Sequence, residues 1–160
     1  MNRILVAYFS ASGVTAAAAA ELAKAEGADL FEIRPEELYT AADLDWRDQK
    51  SRSTLEMADL NCQPAIVGRV EDMAQYDAVF IGFPIWWGRE PSVVDTFLDG
   101  YDFKGKKIIP FCTSGGSGMG KTAERIRSLV GEGVIVDEGK RIGGSISEED
   151  LKLWMEGVMQ

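Results

Sequence analysis

Five strand-length apolar runs recur along the chain: ILVAYF (Ile4 to Phe9), LFEI (Leu30 to Ile33), AVFIGF (Ala78 to Phe83), KIIPF (Lys107 to Phe111) and VIV (Val134 to Val136). Most are continuous rather than alternating, and a continuous run suits a strand covered on both faces. Helical sequence fills the intervals, over Val14 to Glu26, part of Asp43 to Asp59, Ser92 to Leu98, Lys121 to Val130 and Glu148 to Met159. Strand and helix in regular alternation predict an α/β fold, a doubly wound five-stranded parallel sheet with helices on both faces.

The helix edges carry the expected punctuation. Gly27 ends the first helix, Pro91 stands at the start of another, and SEED opens the last with Ser147 as N-cap followed by early acids. The run AAAAAELAKA is a strong helix former whose small side chains permit close approach to the sheet. The segment from Pro35 to Gln63, polar and charged with Trp46 inside it, is the least patterned, and a helix with loose ends is expected there.

At 160 residues with 46% apolar content, the chain is expected to form one domain over residues 1–160. A net charge of −9 argues against nucleic acid and anionic membranes, and points to small molecules or basic protein surfaces as partners. The N-terminal apolar run is too short for a signal peptide, so a cytoplasmic location is expected. Cys62 and Cys112 form no C-x-x-C and the chain has no histidine, which sets aside the usual zinc sites and histidine acid–base catalysis. Two buried thiols are the simpler reading of the cysteines, and no metal is expected.

In an open parallel sheet, ligands bind beyond the carboxyl ends of the strands, so the loops after the first, third and fourth runs are expected to meet. The first, SASGVT (Ser10 to Thr15), combines hydroxyls at Ser10, Ser12 and Thr15 with N–H groups opened by Gly13 at a helix start. That is a phosphate cradle with no cation in it. An ordinary N-cap turn would need only one such hydroxyl. The second loop, PIWWGREP (Pro84 to Pro91), places adjacent Trp86 and Trp87 at a strand end, where one can pack inward and the other face a flat ligand. Two aromatics merely covering the sheet edge is the plainer alternative. The third, CTSGGSGMG (Cys112 to Gly120), is rich in glycine and lets backbone approach a ligand closely.

One motif competes. GGSGMGKT, Gly115 to Thr122, satisfies the G-x-x-x-x-G-K-[ST] phosphate-loop pattern, and VIVD ending at Asp137 resembles a metal-binding strand end. The match follows the fourth run, with about one strand and one helix left, too little to complete a nucleoside-triphosphate-binding core. Nucleotide binding at Gly115 to Thr122 therefore stands as the remote alternative, with Lys121 a solvated first-turn residue.

SASGVT resembles the flavodoxin phosphate loop [ST]-x-[ST]-G-x-T, and follows the first strand as it does there. FPIWWGREP and PFCTSGGSGMG are similar to the corresponding loops of short bacterial flavodoxin-like proteins. The resemblance implies strand order 2-1-3-4-5, non-covalently bound FMN and electron transfer. It further implies that Ser10, Ser12, Gly13, Val14 and Thr15 hold the phosphate. Pro84, Ile85, Trp86, Trp87, Gly88 and Glu90 would line the isoalloxazine, and Thr113, Ser114, Gly115, Gly116 and Gly118 would close its other side. Alignment on the proline makes Trp86 the stacking ring; alignment on WGRE makes it Trp87, with Glu90 near the ring N3–H and Gly88 as the peptide able to change conformation with redox state. Arg89 departs from the family, in which an acid is frequent, and implies a less negative potential for the reduced couple. The third loop lacks the aromatic that in many flavodoxins covers the second flavin face. Two functions follow: an electron carrier docking on a basic surface of a partner protein, or an FMN reductase acting on NAD(P)H and a small acceptor such as a quinone. Monomer and homodimer are both compatible with the exposed PIWW edge.

Overall fold

The computed structural model describes residues 3–114, 118–142 and 147–159. Strand β1 (Ile4–Tyr8) leads into α1 (Val14–Glu26) and β2 (Asp29–Glu32). An excursion follows, in which the two-residue strands β3 (Arg34–Pro35) and β4 (Ile66–Val67) pair antiparallel around α2 (Arg52–Ala58). The chain then runs through β5 (Ala78–Pro84), α3 (Ser92–Asp99), β6 (Lys107–Thr113), α4 (Thr122–Val130), β7 (Ile135–Val136), β8 (Lys140–Ile142) and α5 (Glu148–Met159).

The main sheet has the order β2-β1-β5-β6-β7, with every pairing parallel and β8 also seated on β6. Numbering only the long crossovers, this is the order 2-1-3-4-5. The fifth position differs from expectation because two short strands share it in line, β7 beside Lys107 and Ile108 and β8 beside Phe111 to Thr113. Pro110 of β6 lies between those two stretches and has no N–H to give a ladder. The chain steps around it at Gly139, where φ is 86° and an added Cβ would stand 2.4 Å from the Pro110 carbonyl oxygen. Asp137 shapes the step by accepting the Gly139 N–H at 2.8 Å.

Continuous apolar strands are covered on both faces. Leu5, Val79 and Ile108 share a row and face α3 and α4 through Val93, Phe97, Ala123 and Ile126. Val6, Phe80 and Ile109 form the next row and face α1 and α5 through Ala19, Leu22, Leu151 and Met155. Each large side chain so buried contributes about 1.5–3 kcal/mol, and the paired layers fix where the strand ends stand. Among the described residues no helix is long and apolar enough to cross a membrane.

The least patterned segment acquires its order from polar contacts. Ser51 caps α2 by accepting the Thr54 N–H, and the helix is shorter than the stretch from Asp43 to Asp59. Tyr39 donates a short hydrogen bond to Glu56, which also pairs with Arg52 at 2.9 Å, and the Arg52 guanidinium lies 3.9 Å from the Tyr39 ring centre. Trp46 is largely exposed.

Candidate functional site

The parallel register brings the carboxyl ends of β1, β5 and β6 to one edge of the sheet. Leaving β1, the Phe9 N–H still donates to Gly82 O at 2.9 Å, and the chain then opens at Ser10. The Ser10 Oγ accepts the Gly13 N–H at 3.0 Å, which leaves its own proton available to another acceptor. Gly13 takes φ 93°, and α1 begins with no side-chain cap and no acid in its first turn. Its first N–H groups, at the positive end of the helix dipole, are thus left to a ligand or to water. Ser12 and Val14 are exposed beside them. Thr15 is buried, and its hydroxyl meets that of Thr113 at 2.7 Å.

Past β5 the chain makes a two-residue turn closed by reciprocal hydrogen bonds of 3.1 Å between Trp86 and Arg89. Both central residues have positive φ, 49° at Trp87 and 74° at Gly88, the geometry of a type I′ turn. The Gly88 carbonyl accepts the Lys121 N–H at 2.9 Å. A Cβ on Gly120 would lie 2.0 Å from that carbonyl oxygen, so only glycine lets the third loop come this close. The peptide expected to change conformation is therefore held at both ends, its carbonyl by Lys121 and its Arg89 N–H by Trp86.

The two indoles part company. Trp86 is half-buried and stands edge-on to Phe9 and Tyr39, with ring centres 5.7 and 5.6 Å apart. Trp87 keeps 52% of its surface exposed. Pro84 and Ile85 are half-buried beneath the turn, and the Ile85 N–H donates to Thr113 O at 3.1 Å.

In the third loop Thr113 is buried and Ser114 is gripped by Arg141, whose guanidinium donates to the Ser114 Oγ and carbonyl at 3.0 Å each. Gly118 is exposed; Gly115 and Gly116 lie outside the described residues. Arg141 escaped the sequence reading because β8, which carries it, was not anticipated; KRI between two glycine-containing stretches was the only signal.

Arg89 and Glu90 require correction. Neither offers its charge to a ligand at the turn: Arg89 is 5% exposed and Glu90 fully buried. Arg125 of α4 binds Glu90 Oε2 at 3.0 Å and Asp95 Oδ2 at 2.8 Å. Arg89 stands 3.8 and 3.7 Å from the same two oxygens and donates to the Met57 carbonyl at 2.9 Å. Arg89 thus belongs to a cluster of two guanidinium and two carboxyl groups, so any effect on the potential is that of the cluster and not of Arg89 by itself. Asp95 enters this cluster from α3 and Arg125 from α4, a pairing that local sequence does not reveal.

A groove of about 940 Å³ runs alongside the turn, lined among others by Trp87, Gly88, Lys121, Arg125, Leu60 and Leu129. Of the phosphate-loop lookalike, only Gly118 to Thr122 lie among the described residues. Thr122 is fully buried, Lys121 points into solvent, and the Asp137 carboxylate is occupied by Gly139.

A family model described as flavodoxin matches residues 3–158. The chain belongs to the flavodoxin family. A candidate flavoprotein from Bacteroides eggerthii shares 42% identity and superposes with a TM-score of 0.93, covering 100% of this chain and 99% of its own. A flavoprotein from Lactobacillus acidophilus, solved in complex with FMN, has the same fold at 21% identity and a TM-score of 0.71, over 97% of this chain and 99% of that one. A curated NAD(P)H dehydrogenase (quinone) from Cupriavidus metallidurans is 36% identical over 102 residues, 62% of this chain and 46% of the relative, so the match spans about half of that protein.

FMN is the cofactor that accompanies this flavodoxin-family fold. The residues present suit it. An uncapped helix start with free N–H groups and hydroxyls at Ser10, Ser12 and Thr15 accepts a phosphate, while Trp87 and the bare backbone at Gly88 and Gly118 accept a flat ring.

Proposed function

We propose that this flavodoxin-family protein is an FMN-dependent oxidoreductase that passes electrons from NAD(P)H to a small acceptor of the quinone class. The groove beside Trp87 and Gly88 carries this reading: at about 940 Å³ it has the size of a small-molecule site and adjoins the turn that would flank the flavin ring. Ser10, Ser12, Gly13, Val14 and Thr15 would hold the phosphate, and Trp87 and Gly88 with Thr113, Ser114 and Gly118 would flank the ring. Bound FMN supplies the hydride-accepting chemistry, and the protein contributes binding, orientation and electrostatics, which require no histidine. The partial likeness to a quinone-reducing NAD(P)H dehydrogenase agrees with this assignment.

A second reading, an electron carrier that docks on a basic partner surface, draws support from the net charge of −9. The experiment that separates them is one spectrum. FMN-loaded protein is mixed anaerobically with NADH or NADPH, then with a quinone. Rapid bleaching followed by reoxidation supports the reductase; indifference to nicotinamide with ready one-electron reduction supports the carrier. Failure to retain FMN at all would sink both.

A further inference from the structure

The groove beside the Trp87–Gly88 turn has two unlike sides. One is apolar: Leu60 and Trp87, 59% and 52% exposed, are large hydrophobic surfaces left in water along it, with Met57 and Leu129 beside them. The other is cationic: Arg89, Lys121 and Arg125 line the groove against a single acid, Glu124. The carboxylates that pair with the two arginines are more deeply buried than they are, Glu90 at 0% and Asp95 at 1% exposed, while the Arg125 side chain keeps 19%. The cluster therefore turns its positive side to the groove although its formal charges cancel. In a chain of net charge −9, a groove with this balance runs against the overall field.

Two of these cations have donors to spare. Arg125 gives Nε to Glu90 at 3.0 Å, and Nη2 to Asp95 at 2.8 Å and to the Leu60 carbonyl at 3.4 Å; its Nη1 meets no acceptor among the described residues. That guanidinium is held by two buried carboxylates, so its unused N–H groups are oriented before any ligand arrives. Lys121 is exposed and has no ion-pair partner among the described residues, although Glu124 follows one turn later.

We propose that this groove takes a flat aromatic acid, its ring on Leu60 and Trp87 and its carboxylate on Arg125 Nη1 and Lys121, and that the electron acceptor is accordingly a quinone bearing an acid group. The binding inference stands on the groove alone; naming its occupant as the acceptor rests on the flavin reading above. The phosphates of NAD(P)H offer the same charge, but a dinucleotide would bring a pyrophosphate and its riboses to a groove that is apolar along one side, so the compact ring is the better fit. The transfer itself is unchanged: the quinone gains a hydride from the reduced cofactor and a proton from water, and neither cation gives up a proton.

The test uses the full chain. In FMN-free protein, isothermal titration should show 2-naphthoate binding roughly ten-fold more tightly than 2-naphthamide, which has the same ring and no charge, and raised salt should shrink the difference. The Trp87 indole resonance, assigned through Trp87→Phe, should shift with both ligands. Lys121→Glu reverses an exposed charge and should abolish the preference for the acid while sparing the amide. Arg125→Lys keeps the charge that compensates Glu90 and Asp95 but has no Nη1, and should likewise cost the acid and not the amide. Leu60→Glu should weaken both. In FMN-loaded protein, Lys121→Glu should raise KM for a naphthoquinone carboxylate roughly ten-fold and leave KM for its carboxamide and for NADPH within about two-fold. Equal affinity for naphthoate and naphthamide overturns the acid site. A preference for the acid that moves neither the Trp87 resonance nor responds to Leu60→Glu is surface ion pairing and overturns the groove. A rise in KM for NADPH alone gives the groove to the electron donor and overturns the acceptor assignment. If the chain retains no FMN, the flavin reading fails, while the naphthoate titrations still decide the groove.

Discussion

The hydroxyls of Thr15 and Thr113, 98 residues apart in the chain, meet at 2.7 Å in a buried hydrogen bond. It ties the first turn of α1 to the last residue of β6. When Thr113 is the donor, the Thr15 proton is free to point at an acceptor by the uncapped helix start. Thr113→Val should therefore weaken FMN binding roughly ten-fold, the worth of one oriented hydrogen bond of about 1–1.5 kcal/mol. Thr113→Ser should restore it. Riboflavin, which lacks the phosphate, should bind both variants as it binds the wild type. Fluorescence titrations decide; equal losses for riboflavin and FMN would make the bond a packing feature and nothing more.

Gly120 and Gly88 set how closely the second and third loops approach. A methyl at position 120 meets the Gly88 carbonyl oxygen at 2.0 Å, and φ there is 57°. Backbone must move to admit it, so Gly120→Ala should cost more than about 2 kcal/mol and loosen the Trp87–Gly88 turn. Denaturant unfolding measures the first effect. Gly118→Ala, with nothing within 4 Å of the added carbon, is the control and should leave stability within about 1 kcal/mol.

The Asp95 carboxyl also predicts how stability follows pH. Its folded value of about 8 lies above the ordinary 3.8, so below about pH 4 both states hold the proton. Between pH 4 and 8 the unfolded chain releases it and the folded chain does not, so the stability present at low pH is progressively lost as pH rises. From pH 6 to 8 the slope should reach at most about 1.4 kcal/mol per unit. Tyr39, Tyr76, Cys62 and Cys112 are also shifted upward, chiefly by burial, but their ordinary values of 9 to 10 place their effects at higher pH. Urea unfolding at pH 6, 7 and 8 should show the decline in the wild type and a flatter profile in Asp95→Asn.

The fold was legible because its cause is periodic: strands buried on both faces must be continuously apolar, and helix caps are written in local residues such as Gly27 and Pro91. SASGVT, one uninterrupted stretch, offers its phosphate-loop pattern to local reading as a candidate. What local sequence could not carry was partnership across the fold. Arg89 and Glu90 looked like residues of the turn's open side, yet their charges are claimed by Asp95 and Arg125 from two different helices. The split of the last strand turned on Pro110 of its neighbour, which no inspection of VIV and KRI by themselves would disclose.

Lys121 tests the remaining motif. Its side chain is exposed at the head of α4, and Thr122 behind it is buried. Lys121→Ala should leave FMN affinity and unfolding within error of the wild type, because the turn is held by the Lys121 backbone N–H and not by its ammonium. Isothermal titration with ATP should give no heat for either protein; binding that vanishes in the variant would revive the nucleotide reading.

Trp87 sets stability against binding. A bulky residue at φ 49° costs about 1–2 kcal/mol relative to an unstrained conformation, and this one leaves half its surface in water. Such a cost is retained where the side chain has work outside the core. Trp87→Gly should relieve the turn and raise the stability of FMN-free protein by about 0.5–1 kcal/mol, the strain relief less the contacts of the half-exposed ring. The same change removes the flat surface and should weaken FMN binding by about 1–2 kcal/mol, roughly ten-fold or more. Trp86→Leu, by contrast, strips an indole packed on Phe9 and Tyr39 and should lower stability first. Thermal unfolding and FMN titration of the two variants check the assignment. If Trp87→Gly destabilises the FMN-free protein, the indole is a structural cover for the turn, and Trp86 becomes the ring to test against the flavin.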